Sequence, residues 1–453
     1  MEATYIRDFT RGNITKQLVT FAWPLFLSNL LQVVYNMVDM IIVGHVLGKT
    51  GTAAVSVGGD VSGFLTFMAM GFSSAGQVLI ARYIGAGERE KLGRFVGTMT
   101  GFLMLCAVMI SILSLGFQNP ILQVMNTPVE AYAGAAAYAG ICMVGLVFIY
   151  GYNIVSAILR GMGDGKHPLV FIGVAAVLNV VLDILLVMVF PLGPGGAALA
   201  TVISQGISFL LCSLFLIKNR VQFGLTLRGK DFIFWDRGML SALVKLGLPM
   251  AIKFAAIRFS KLFVNAFINA YGVVVAAFAG IANKIANIAN LVSNAMNSAG
   301  STMVGQNITA GCYGRVKKIL LQLIAITLSI SGIISLAIVL FPQAVFSIFT
   351  NDPAVLAVAG PYVPIAVLLF VGSALRSGMN ALLNGSGNYR INFVTAILDG
   401  IILRIGLSLL FGLHFQMEHY GFWLGDALAG FTPFFIGVAF YFSGIWKRQK
   451  EPA

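Results

Sequence analysis

Charge is scarce in this chain. Asp, Glu, Lys and Arg make up 10% of 453 residues, where a soluble protein carries about 25%. With 58% hydrophobic residues and a mean hydropathy of +0.91, that shortage excludes an ordinary soluble domain. Cysteine is scarce too. Cys106, Cys142, Cys212 and Cys312 lie far apart, which argues against a disulfide framework or a CxxC metal pair. A phosphate-binding loop is missing: "GMGDGKH" (161–167) has three residues between Gly161 and Gly165 where four are needed, and His follows Lys. No HExxH or comparable constellation occurs, so the chain does not read as an enzyme, nor alone as an ATP-driven pump. No short cleavable signal peptide is expected, because the polar N-terminal arm runs into a full apolar span.

What is abundant is apolar sequence in runs near 20 residues, each long enough to cross a bilayer as a helix. Twelve spans are read, at 18–43, 54–80, 95–116, 132–158, 168–190, 197–217, 242–270, 274–304, 319–341, 357–382, 392–413 and 422–445. The net charge of +13 does not point to nucleic acid, because of where it falls. Of the 29 Lys and Arg, 21 lie in the termini or the even-numbered loops and only Lys49 in an odd-numbered one. The positive-inside rule then places both termini in the cytoplasm of a multi-pass protein, expected in a bacterial plasma membrane.

The chain repeats itself. "SSAGQVLIARYIGAGEREKLGR" (73–94) aligns with "NSAGSTMVGQNITAGCYGRVKK" (297–318), and "LRGMGDGKHPL" (159–169) with "LNGSGNYRINF" (383–393), both at an offset of 224. Pro24 and Pro249 sit 225 apart. The expected fold is an all-α membrane protein: twelve transmembrane helices in two pseudo-symmetric six-helix bundles, a parallel repeat of the kind that puts a shared cavity between transporter halves. Boundaries are expected at 1–217 for the N-terminal bundle, 218–238 for a cytoplasmic linker and 239–453 for the C-terminal bundle.

Twelve spans in a 6+6 repeat, "PLFLSNLLQVVYNMVD" (24–39) with "VGHVLG" (43–48), glycine-rich loops after spans two and eight, and "LNVVLD" (178–183) together resemble the multidrug and toxic compound extrusion (MATE) family. The details look most like its DinF-like branch. The resemblance covers essentially the whole chain. It implies secondary antiport, in which a solute leaves the cytoplasm as H⁺ or Na⁺ enters. It also implies a cation site at Asp39, Asn179, Asp183 and Thr201. The chain is expected to work as a monomer.

The residues point the same way. An acid inside a span costs of order 3 kcal/mol on insertion scales and is a functional candidate by default. Asp39 has Asn36 and Tyr35 within one turn and Pro24 upstream as a candidate hinge. Asp183 has Asn179 at i−4 on the same face, and Thr201 opens span six. Two carboxylates, an amide and a hydroxyl suit Na⁺ as an all-oxygen set, or the carboxylates can share a proton. No other cofactor is expected. Gln32 and Asn153 are candidate cavity liners, and Asp60 a rim residue.

The spans of the N-terminal half hold Asp39, Asp60 and Asp183 and no base. Those of the C-terminal half hold Asp399 and Asp426 against Lys245, Lys253, Arg258, Lys261, Lys284, Arg376 and Arg404. Lys245 is placed to snorkel, and Arg404 to pair with Asp399 or Asp426. On span eight, Asn283, Asn287, Asn290, Asn294 and Asn297 fall within an arc of roughly 80°. With Lys253 and Lys261 they read as a polar, positive cavity wall suited to an anionic or zwitterionic solute, although packing between helices also uses such amides. The competing functions are a lipid-linked saccharide flippase of the wider superfamily, and a passive channel or scaffold, which has no use for the acid set.

Overall fold

The computed structural model describes residues 5–448, and every regular element among them is helical. Twelve membrane-crossing runs can be followed. The first helix, Ile14–Leu65, is broken at Gly48, which takes φ 62 and ψ −156. An L-residue pays of order 1–2 kcal/mol for that left-handed backbone, and glycine does not. Gly48 thus divides one long apolar stretch, continuing to Gly85, into spans one and two. Span three is Arg89–Gly116. Span four is the pair Val129–Val144 and Leu146–Gly161, bent by 49°. Spans five and six are Lys166–Val189 and Gly193–Lys218. The second series is Arg237–Asn269, Val273–Thr309, Tyr313–Leu340, Ala359–Gly385, Tyr389–His414 and Glu418–Ser443. Most helices are apolar all round, as expected where one side meets lipid and the other meets protein.

The repeat holds at the level of single contacts. A Cβ added to Gly161 would lie 2.8 Å from the Gln77 carbonyl oxygen, and one added to Gly385 would lie 2.8 Å from that of Ser301. Both pairs obey the 224-residue offset. Spans five and eleven each end in a widened π-turn, at Ile184–Val189 and Leu410–His414. There the Phe190 amide donates to Leu185 O (2.8 Å) and the Leu192 amide to Leu186 O (2.9 Å). Phe415 donates to Leu410 O (2.9 Å) and Met417 to Phe411 O (3.1 Å), each 225 residues later. The change of offset from 224 to 225 coincides with one further π-turn in the second copy, Leu398–Ile402. A π-turn carries one extra residue per turn, so it absorbs the insertion without breaking the span.

Contacts divide the chain into two compact units, and the division is not a single cut. One unit is built on Trp23–Leu248. The other runs from Pro249 onward and also contains Phe9–Ala22. Within this second unit the Phe9 amide donates to Gln306 Oε1 (3.0 Å), and Asn307 Nδ2 donates to Phe9 O (3.1 Å). The Arg315 guanidinium donates to the carbonyls of Gly12 (3.0 Å) and Phe9 (3.1 Å). In the first unit the segment 226–236 lies along Arg89–Gly116. Gly93, Gly97 and Gly101 form the stripe beneath it, and a Cβ there would sit 2.2, 2.7 and 2.0 Å from Thr226 O, Asp231 Cβ and Phe232 O. Arg94 closes the contact on Asp236 at 3.2 Å.

Candidate functional site

In the first unit the acids come together. Asp39 is half-buried on span one and Asp183 is wholly buried where span five enters its π-turn. The two carboxyl groups are near neighbours, each in the field of the other. Among the described residues nothing donates to Asp39 Oδ1 or to either Asp183 oxygen, and the Asn179 Oδ1 is likewise unused. Asn179, 2% exposed, directs its Nδ2 toward Thr201 Oγ1 at 3.5 Å, and that hydroxyl donates to Ala197 O at 3.1 Å. Asn179 and Thr201 share a small cleft with Tyr35, Ser204 and Gln205. Asn179 of span five and the Thr201 hydroxyl of span six therefore meet, and near them on spans one and five Asp39 Oδ1, both Asp183 oxygens and Asn179 Oδ1 lack donors among the described residues. Gln205 is not among the residues expected from the sequence. Its position one helical turn after Thr201 was the available signal.

Other sequence candidates lie elsewhere. Gln32 and Asn36 are exposed on span one. Asn153 donates to Ile149 O (2.8 Å) in its own helix. Asp60 is exposed. Pro24 is buried inside continuous helix, two residues past the boundary between the units.

In the second unit the bases gather. Arg404, 2% exposed, donates to Asp399 Oδ1 (2.9 Å) and also to Asp426 Oδ1. Arg376 Nη2 donates to Asn290 Oδ1. Lys253 Nζ donates to Asn380 Oδ1 at 2.7 Å. Lys261 lies in the field of Asp426, but among the described residues no acceptor takes a hydrogen bond from its Nζ. Lys261, Asn290, Ser373, Arg376, Arg404 and Asp426 line a small pocket. Lys253 lies outside that lining. The asparagine row divides in use: Asn290 and Asn297 accept from the Ala359–Gly385 helix, through Arg376 and Asn384 (3.4 Å). Asn287 and Asn294 are exposed, and Asn283 is half-buried. Ser373 and Asn380 were not singled out in the sequence. Both lie on the face of that helix that carries Arg376, at i−3 and i+4.

A duplicated set of twelve membrane-crossing helices, with a carboxyl pair inside one copy, describes a polytopic membrane protein, and the family match makes it a transporter and not an enzyme. The chain belongs to the MatE family. That family's model matches residues 24–185 and again residues 249–410, so the two matches begin at Pro24 and Pro249. The chain is 28% identical to the probable multidrug resistance protein YpnP of Bacillus subtilis over 98% of each chain. It is 24% identical to the probable multidrug resistance protein NorM of Thermotoga maritima, covering 96% of this chain and 94% of that one. The same fold occurs in a MOP superfamily transporter from Pyrococcus furiosus, with a TM-score of 0.88, 22% identity and 98% of each chain covered. It also occurs in an outward-facing multidrug resistance MATE transporter, with a TM-score of 0.87 and 23% identity. The protein is a multi-pass efflux transporter.

Proposed function

We propose that this chain is a cation-coupled antiporter that exports small anionic or zwitterionic organic molecules by alternating access. It would act as a monomer in the plasma membrane with both termini in the cytoplasm. The observation that carries the reading is the neighbouring Asp39 and Asp183 carboxyls, the first half-buried and the second buried, with no donor to Asp39 Oδ1 or to either Asp183 oxygen among the described residues. A structural role would have supplied partners, because an unpaired buried charge is costly. A coupling role requires that they be absent, so that H⁺ or Na⁺ is the partner. With Na⁺, the Asn179 and Thr201 oxygens complete a hard-oxygen set. With H⁺, one carboxyl donates to the other. Loading or unloading either ion changes the charge on spans one and five and so biases the equilibrium between states. The unit boundaries at Ala22–Trp23 and Leu248–Pro249 support Pro24 as the point about which span one bends.

The anionic-solute reading rests on the base-rich second unit. It is in keeping with the Pyrococcus furiosus transporter, which is described as having a binding pocket of reverse polarity suggesting a different function. The names of the curated relatives favour export over lipid flipping.

The test is solute flux in proteoliposomes with Na⁺ and pH gradients imposed separately. Asp39→Asn and Asp183→Asn should each lower gradient-driven export by roughly 100-fold, the upper range for loss of a coupling free energy, with the protein still folded. Wild-type export by both variants would remove the coupling assignment.

A further inference from the structure

The two copies of the repeat can be overlaid residue by residue, and the overlay puts the two sites at equivalent places. The 225-residue offset proved by the paired π-turn bonds carries Asn179 onto Arg404 and Thr201 onto Asp426. Pro24 and Pro249 lie in unbroken helix as far as Asn36 and Lys261, so the same offset carries Asn36 onto Lys261. The acids themselves fall on Val264 and Ser408. What is a carboxyl pair with neutral oxygens in the first copy is therefore an ammonium and a guanidinium in the second. Arg376 is added from the Ala359–Gly385 helix.

We infer that the second copy is an oxyanion site. The pocket between Lys261, Arg376 and Arg404 takes a compact carboxylate or phosphate group, either as the head of the exported solute or as a free inorganic anion. The charge balance requires a ligand of that sign. Among the described residues the acids acting on Lys253, Lys261, Arg376 and Arg404 are Asp399 and Asp426, and Arg404 already holds both. Arg376 is held by a neutral amide, and the Lys261 ammonium has no bonded acceptor among the described residues. Two positive charges therefore remain without a counter-charge in a low-dielectric place, where each is expensive. An Arg fork and a Lys ammonium on two sides of one pocket form a recognised geometry for carboxylate and phosphate. The Ser373 hydroxyl in the lining supplies a further donor. Asp426, neutralised by Arg404, keeps that guanidinium aimed into the pocket.

The solute-head arm of this inference rests on the anionic-solute reading, and the inorganic arm does not. The test titrates the full-length protein in detergent with benzoate and, separately, with inorganic phosphate, reading heat of binding and thermal shift. Lys261→Gln and Arg376→Gln should each weaken binding about tenfold or more, the usual loss for a hydrogen bond to a charged group. Lys261→Arg should retain binding, and Lys245→Gln, on an exposed position, should match wild type. Should a Gln variant unfold, the Lys261→Arg retention and the wild-type titration still decide the question. Binding of benzoate alone assigns the pocket to the solute head, and binding of phosphate alone or of both assigns it to an oxyanion of either source. No binding of either probe, or binding unchanged in both Gln variants, overturns the site. Proteoliposome flux separates the two readings. Coupled export of a cationic solute with no anion binding removes this site and spares the coupling. Lys261-dependent binding without gradient-driven export spares the site and removes the exporter.

Discussion

At equivalent places in the two copies of the repeat, the same helices present opposite chemistry. The first unit offers Asp39, Asn179, Asp183 and Thr201, an all-oxygen set short of donors. The second offers Lys261, Arg404 and Asp426, rich in donors and partly paired. The difference teaches what duplication permits. On the coupling proposed above, one copy keeps an acid pair that has to stay unpartnered. The other is then free to place bases that would neutralise that pair if both lay in one site. Lysines beside Asp39 and Asp183 would hold them as salt bridges, leaving nothing for H⁺ or Na⁺ to change.

The comparison breaks most severely at Arg404. Arg404→Gln removes the guanidinium bonded to both Asp399 and Asp426. It should cost about 3–5 kcal/mol, because the buried Asp399 and the half-buried Asp426 lose their counter-charge. Thermal unfolding in detergent would show this as a large loss, and adding Asp399→Asn and Asp426→Asn should restore most of it. A triple variant no more stable than the single would mean the ion triad is not what holds that region.

Transposing one position sharpens the contrast. Asn36→Lys gives the first copy the residue that the second has at Lys261, one turn from Asp39. Gradient-driven export should fall roughly tenfold, within the 5–150-fold range of coupling energies, with thermal unfolding in detergent checking that the variant is folded. Unchanged export would show that the acid pair tolerates a neighbouring base.

Two smaller effects test how each half is built. Gly97→Val drives a side chain into Asp231, whose Cβ would lie 2.7 Å from the new Cβ. It should cost about 1–3 kcal/mol by overpacking, seen as a lower melting temperature and faster proteolysis of the 218–238 segment. Gly48→Ala should cost about 1 kcal/mol for the left-handed φ of 62, with Gly44→Ala, which meets only Thr52 Oγ1 at 3.6 Å, as the neutral control.

Much of the architecture was legible because it is written in local pattern. Apolar length marks spans, and the two "GAG"- and "TAG"-bearing loops and the two prolines mark the repeat. Asn179 and Asp183 could be set on one face by spacing alone. What could not be read was pairing across hundreds of residues. Nothing near Asn290 announces Arg376, and nothing near Lys253 announces Asn380, because each partner lies on another helix. The five asparagines look uniform on a wheel, yet two are taken up by the Ala359–Gly385 helix and two are exposed. The break at Gly48 falls between the spans expected at 18–43 and 54–80, so its place was legible although the residue that makes it was not. The grouping of Phe9–Ala22 with residues beyond Pro249 depends on Gln306, Asn307 and Arg315, which no local feature of the first 22 residues foretells.

That last grouping sets a timetable for biogenesis. The Phe9 amide is bonded to a side chain 297 residues further along, and its carbonyl to one 298 residues further. At roughly 5–20 residues per second of synthesis, the opening segment waits on the order of 15–60 s before its docking partners leave the ribosome. During that interval the first six helices are already inserting, and the arm that leads into them has nothing to hold. A translation product cut off after the linker would carry a complete first repeat and an N-terminal arm permanently without the side chains that hold it.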